Sequence, residues 1–307
     1  MSHNKNIVVI GSINTDMVVM TKYFPAPGET ILADSFFTNL GGKGANQAVA
    51  AARLGATVTL VSNLGDDLFG NQAINQLSKE NIDVSLITKD EYANSGIALI
   101  TVDENAENTI VVASGANALL SFNNIKELDE KINNNSIVVM QLEIPLGTIE
   151  QVALFSKSKH ATIILNPAPA QLLDAKILNN IDILTPNQAE AKLLSGVIVS
   201  DEKSAHEAAL CISKLGPKIV IITMGAKGAY VYDSNTGYLV PGYKVNAVDT
   251  TAAGDIFNGS LAVALSQFQP LKEAVIFATK ASALSVTKAG AQSSAPMMED
   301  ITLFFDN

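Results

Sequence analysis

One cysteine, three histidines and no tryptophan occur among 307 residues. A lone Cys211 excludes an internal disulfide framework, and His3, His160 and His206 are too scattered to form a structural zinc site. Positive charge is also scarce. Lys and Arg total 20 against 30 Asp and Glu, a formal net charge of −10, so no broad basic field exists to gather nucleic acid or anionic lipid. Any phosphate must be held by local backbone amides and a few placed cations. No apolar run reaches the roughly 18 residues of a membrane span, and MSHNKNIVVIGSINTD lacks a long apolar stretch with a cleavage site. A soluble cytoplasmic protein with no nucleic-acid or membrane partner is expected. A G-x-x-x-x-G-K-[ST] loop is missing, and the first apolar run leads into GSINTD rather than G-x-G-x-x-G. These absences set aside Walker A ATPases and NAD-dependent oxidoreductases.

What is present is a hydrophobic content of 48%, enough for a substantial core. Six short, nearly continuous apolar runs recur: IVVIG (7–11), TVTLVSN (57–63), SIVVMQLE (136–143), ATIILNP (161–167), IDILTPN (181–187) and KIVIITMG (218–225). Runs of this kind fit strands buried on both faces of a parallel sheet. Helical patterns over 43–54, 67–80, 146–158, 187–195 and 201–215 separate them. The alternation predicts a three-layer α/β/α domain with a mostly parallel central sheet, spanning 1–307 as one unit. Two stretches break it. Segments of about 14–40 and 94–114 read as strands without intervening helices, the second a hairpin turning near Asp103-Glu104-Asn105. They predict a small β-sheet lid whose apolar face needs cover, from the parent domain or a second subunit.

Five stretches suggest chemistry. In VDTTAAGDIFNGSL (248–261), Thr251, Ala252, Ala253 and Gly254 precede a helix expected from about Asp255. Small residues there leave helix-start amides uncovered, a candidate anion hole at Ala252, Ala253 and Gly254, with Gly254 allowing an unusual backbone. The plainer reading is an acidic helix start with small residues for packing. Asp255 beside such a hole suits phosphoryl transfer, where a carboxylate accepts a hydroxyl proton while fixed donors meet the developing charge. The helix dipole is expected to keep Asp255 ionised and so a weak base. In NLGGKGANQAVAAARLGA (39–56), Gly41 and Gly42 allow close approach, and Lys43 and Asn46 share one helix face. Asn14 and Asp16 point to one side if their segment is extended. Together these groups make a receptor for adjacent hydroxyls, though each alone also reads as a turn residue. Asn187 and Glu190 fit a capping box as readily as a nucleotide and Mg²⁺ site. Gly225 and Gly228 in TMGAKGAYVY by themselves signal a hairpin.

Taken together, GSINTD, GGKGANQAVAAARLGA, MQLEIP, NPAPA, TPNQAEA, TMGAKG, VDTTAAGDIFNGSL and GAQSSAP resemble the ribokinase family of carbohydrate kinases over essentially the whole chain, in family order. The resemblance implies ATP-dependent phosphorylation of D-ribose at its 5-hydroxyl, with Asp255 as base and an anion hole at Ala252, Ala253 and Gly254. It implies sugar contacts from Asn14, Asp16, Gly42, Lys43, Asn46 and Glu143, with Asp255 reaching the reactive hydroxyl. Nucleotide contacts would come from Asn187, Thr223, Gly225, Ala226, Gly228 and Gly254, and Glu190 would join an indirect Mg²⁺ network. A K⁺ activator would be held by oxygens of Asp249, Thr251, Ser285, Lys288, Gly290 and Ser294, mostly backbone carbonyls. A homodimer through the lid is the family expectation. Ile256 follows Asp255 where many members carry Thr, so a first-turn hydroxyl is missing while base and amides stay intact. Without Trp, the adenine is expected between aliphatic walls. Within the same family, deoxyribose, a ketohexose or adenosine remain alternative substrates, and a catalytically silent sugar or nucleotide sensor is the alternative of a different class. The intact Asp255 and its AAG argue against the sensor.

Overall fold

The computed structural model describes residues 5–105, 107–125, 127–234 and 236–305. The chain starts in the main sheet with β1 (Asn6–Ile10) and leaves it for β2 (Asn14–Met20) and β3 (Ser35–Gly41). It returns through α1 (Lys43–Arg53), β4 (Val58–Gly65), α2 (Leu68–Lys79) and β5 (Ile87–Asp90), then leaves again for β6 (Gly96–Val102) and β7 (Asn108–Ala113). Next come α3 (Leu128–Lys131), β8 (Ser136–Met140), α4 (Leu146–Ser158), β9 (Thr162–Leu165), α5 (Ala175–Leu178), β10 (Ile183–Leu184), α6 (Gln188–Ser195) and α7 (Glu202–Ser213). The chain closes with β11 (Ile219–Thr223), β12 (Gly228–Asp233), β13 (Thr236–Pro241), α8 (Ala253–Ser266), α9 (Leu271–Ser285) and α10 (Met298–Phe305).

Nine strands form the main sheet in the order β13-β12-β11-β10-β9-β8-β1-β4-β5. Neighbours from β5 to β11 pair parallel, and the hairpin strands β12 and β13 pair antiparallel at one edge. All six apolar runs fall in this sheet. The run in β1 is buried throughout because its alternate side chains feed two cores. Ile7 and Val9 pack with α1, α2, α8 and α9 on one face, while Val8 and Ile10 pack with α4, α5 and α7 on the other. This is the expected α/β/α sandwich. Helix α8 lies deep in it, with Ile256, Leu261 and Ala262 fully buried.

The lid is a separate four-stranded sheet, ordered β3-β2-β6-β7. Its register puts Asp16, Ala98 and Val112 side by side on one face, and Met17, Leu99 and Val111 on the other. Strand β3 runs directly into α1, so the lid's first strand pair and the first glycine-rich helix start are one continuous piece of chain. Among the described residues, no helix is long and apolar enough to cross a membrane.

Candidate active site

Two glycine-rich helix starts meet at the carboxyl ends of the parallel strands, and they are built differently. At α1, the N-cap Gly42 has φ 88° and no side-chain cap. A Cβ there would lie within 2.7–2.9 Å of the Ile13 and Asn14 backbone, so only glycine fits. The first α1 amide, of Lys43, donates to Glu143 Oε2 at 3.1 Å, and Ser12 Oγ donates to the same oxygen at 2.5 Å. This helix start is therefore filled by one of the protein's own carboxylates. At α8 the helix begins at Ala253, earlier than expected, so Gly254 and Asp255 lie inside its first turn. The unusual backbone that Gly254 would allow is found instead at Ala252, left-handed with φ 59° and ψ 10°. A Cβ on Gly254 would meet nothing within 4 Å, which leaves this second helix start open. Two side chains hold its geometry from behind: Ser282 Oγ donates to Ala253 O at 2.9 Å and Asn258 Nδ2 to Gly254 O at 2.8 Å.

Asp255 sits at this open start, 5% exposed. Its Oδ2 accepts from Asn46 Nδ2 at 3.0 Å and its Oδ1 from Gln47 Nε2 at 2.9 Å. Burial pushes its carboxyl above the ordinary range, opposed by the Lys43 ammonium and the two amides. Burial thus works against the helix dipole, which favours the ionised form. Lys43 is raised in turn, chiefly by Asp255, with Glu143, Glu190 and Asp16 adding to the attraction. One ammonium facing four carboxylates leaves the site acidic.

The sugar-side residues converge. Asp16 projects from β2 against Gly41, where a Cβ would collide with its carboxylate. Burial, then Glu143 and Asp255, push its carboxyl up to about 6. Asn14 Oδ1 accepts from Asn117 Nδ2 at 2.8 Å, which orients the Asn14 amide. Asn14 and Glu143 line a 490 Å³ cavity with Val112 of the lid and Asn117. The Asn46 Oδ1 atom is buried without a partner, an acceptor ready for a hydroxyl.

A second cavity of 580 Å³ is lined by Thr223, Gly225, Ala226, Gly228, Thr250, Ala253 and Gly254 among others. It gathers the expected nucleotide residues except Asn187. Its walls are not purely aliphatic, because Tyr243 and Phe257 join Val245, Ala283 and Val286. A smaller cavity of 190 Å³ connects the two regions chemically: Lys43, Asn187, Glu190, Thr223, Ala252, Ala253, Gly254 and Asp255 all line it. Asn187 and Glu190 do form the capping box, with Asn187 N donating to Glu190 Oε2 at 2.8 Å and Glu190 N to Asn187 Oδ1 at 2.8 Å. The plain reading as a capping box is observed, and the capped Glu190 still lines the cavity. Burial raises its carboxyl, against the Asn187 amide and Lys43. Ile256 points into the core at 0% exposure, so this position adds no polar group to the cavity.

The remaining candidates form a pinned loop pair. Asp249 Oδ1 accepts from Thr251 N at 2.9 Å and Oδ2 from Gly290 N at 2.8 Å, which hold this carboxyl low despite partial burial. Val248 N donates to Val286 O at 2.7 Å. Ser285 and Ser294 donate their hydroxyls to Ser282 O and Ala291 O, and the Lys288 ammonium pairs with Asp300 at 3.6 Å, away from the loop. Among the described residues no cluster of three or more acidic, histidine or cysteine groups could hold a metal.

Several contributors have no strong sequence signal. Gln47 is the clearest: it stands four residues after Lys43, on the same face of α1, and that spacing could have found it. Ser12, Asn117, Asn166, Thr185 and Asn258 read as ordinary polar positions.

The pfkB family carbohydrate kinase model matches residues 4–298. The chain belongs to that family. It is 44% identical over 303 residues to a ribokinase of Haemophilus influenzae, covering 99% of each chain. It is 37% identical to a deoxyribokinase of Salmonella typhi, over 96% of each. The solved ribokinase of Arabidopsis thaliana, complexed with ribose and ATP, superposes with a TM-score of 0.92 at 30% identity, over 98% of each chain. The ribokinase-like fold and a carbohydrate kinase activity are thereby established.

Proposed function

We propose that this kinase transfers the γ-phosphoryl group of ATP to the 5-hydroxyl of D-ribose, giving D-ribose 5-phosphate and ADP. The observation that carries the reading is the buried Asp255 in the first turn of a helix whose start is open to the cavities, flanked by Ala253 and Gly254. Asn14, Asp16, Gly42, Lys43, Asn46 and Glu143 would hold the sugar ring and bring its 5-hydroxyl to Asp255. Thr223, Gly225, Ala226 and Gly228 would take the nucleotide, with Asn187 and Gly254 toward its phosphates.

In this arrangement Asp255 accepts the hydroxyl proton as the oxygen attacks phosphorus, and the amides of Ala253 and Gly254 meet charge on the transferred group. Lys43 offsets part of the surrounding negative charge. Mg²⁺ would neutralise the phosphates, with Glu190 reaching it indirectly. K⁺ would settle the loops behind the anion hole, on oxygens of Asp249, Thr251, Ser285, Lys288, Gly290 and Ser294. The chain would act as one catalytic domain in the cytoplasm, with the β2, β3, β6 and β7 sheet as its lid. A homodimer through the lid is supported by the exposed Phe36, Leu99 and Val111.

Deoxyribose is the competing substrate, favoured by the deoxyribokinase relative. Asp16 speaks against a strict deoxysugar enzyme if it binds a 2- or 3-hydroxyl, because an absent hydroxyl would strand a partly buried carboxylate. A coupled assay with ATP and Mg²⁺ over ribose, deoxyribose, fructose and adenosine decides the matter. Ribose should show the highest kcat/KM, and a clear preference for another acceptor overturns the assignment.

A further inference from the structure

We propose that Gln47 is a positioning residue for this reaction, and that with Gln141 and Asn166 it forms a buried amide relay holding the Asp255 carboxylate in a single orientation. The proposal rests on Asp255 acting as the base. It gives a role to NPAPA, which the sugar and nucleotide contacts leave unused and which supplies Asn166, and to Gln141, two residues before the sugar contact Glu143 in MQLEIP.

Gln47 and Gln141 are 0% exposed and Asn166 6%. Gln141 Nε2 donates to Gln47 Oε1 at 2.7 Å, and Gln47 Nε2 donates both to Asp255 Oδ1 at 2.9 Å and to Asn166 Oδ1 at 3.2 Å. The direction of every bond follows from the carboxylate. Ionised Asp255 only accepts, so Gln47 must turn its amino group toward it and its carbonyl away, and that carbonyl selects the amino group of Gln141. The network continues to the anion hole: Asn166 Nδ2 reaches Thr185 O at 3.4 Å, Thr185 Oγ1 donates to Asn258 Oδ1 at 2.6 Å, and Asn258 Nδ2 donates to Gly254 O. Base and hole are thus held by one connected set of side chains from α1, α8 and the residues that directly follow β8, β9 and β10. Protonating Asp255 on Oδ1 would set two donors against each other, so the relay also favours the form that can accept a proton.

The charged groups facing Asp255 are Lys43 on α1, Asp16 on β2, Glu143 after β8 and Glu190 on α6. Gln47→Met leaves all four in place, so a change in the titration of Asp255 in that variant is assigned to the lost amide. With ribose and ATP saturating, Gln47→Met should lower kcat at pH 7 roughly tenfold and move the acid limb of kcat to higher pH, with KM for ribose changed less than about twofold. Gln47→Glu preserves shape and should move the limb the same way, because a second carboxylate there favours protonation. Gln141→Met should act through Gln47, so the double variant costs less than the product of the single losses. Should Gln47→Met fail to fold, Gln47→Glu and Gln141→Met carry the test. A carboxyl ¹³C titration of Asp255, assigned with Asp255→Asn, reads the same effect without turnover. An unmoved limb and carboxyl titration, or multiplicative losses, overturn the proposal. Wild-type protein inactive on every sugar tested overturns the kinase reading instead, while the carboxyl titration still judges the relay.

Discussion

Asp255 and Asp16 are both carboxylates that burial pushes upward, but different neighbours assign them different work. Asp255 is matched by Lys43 and two amide donors, so it stays a usable acceptor at the point where a hydroxyl proton must go. Asp255→Asn should lower kcat by about 10²-fold or more with little change in ATP binding, measured by steady-state kinetics and calorimetry. Near-normal turnover would remove Asp255 as the base. Asp16 rises from 3.8 to about 6. Since its folded value lies above the unfolded one, the folded state holds the proton more tightly between those values, and stability from this group increases as pH falls through the window. Ionised Asp16 is therefore a cost to the fold at pH 7, one that the proposed sugar contact would justify. KM for ribose should climb as pH drops below about 6, and Asp16→Asn should melt higher than wild type at pH 7 while losing most sugar affinity. A lower melting temperature would contradict this account. Asp16 was legible in GSINTD, because extended spacing puts it beside Asn14. Its raised carboxyl was not, since that depends on Glu143 and Asp255 arriving from far along the chain.

The two helix starts show how similar glycine-rich strings become different elements. Gly42 begins a helix whose first amide is taken by Glu143, whereas the start of α8 stays open and is reached through Ala252 in the left-handed region. A left-handed alanine costs roughly 1–2 kcal/mol, and glycine at such a site gives back about 0.5–1 of the relief through unfolded-chain entropy. Ala252→Gly should therefore stabilise the protein by up to about 1 kcal/mol in a denaturant titration, and clear destabilisation would show that Ala252 is not strained. The strongly periodic helices and apolar strands were legible because period and burial agree. Others were not: β5 is a short, mostly polar ITKD, and α9 begins after Pro270 with no side-chain cap. Such elements are specified by what they pack on.

At the scale of the whole molecule, the small sheet presents one face toward the site and another to solvent. Its register sends Asp16 and Val112 to one face and Met17, Leu99 and Val111 to the other, where Leu99 and Val111 remain exposed. If that outer face meets a second copy, Val111→Asp should convert a dimer to a monomer in sedimentation velocity at micromolar concentration, and an unchanged sedimentation coefficient would place the interface elsewhere. By itself the sequence determined the α/β/α class and the two segments of the small sheet, and it singled out Asp255 and the sugar-side candidates, because these are written in local periodicity and in short motifs. Only the tertiary structure decided that Glu143 fills one helix start and leaves the other open, that strain sits at Ala252, and that Gln47, Gln141 and Asn166 stand behind the base. The contacts among these join residues 94 to 208 positions apart. No local pattern encodes such a contact, because it exists only once the sheet has brought the strand ends together.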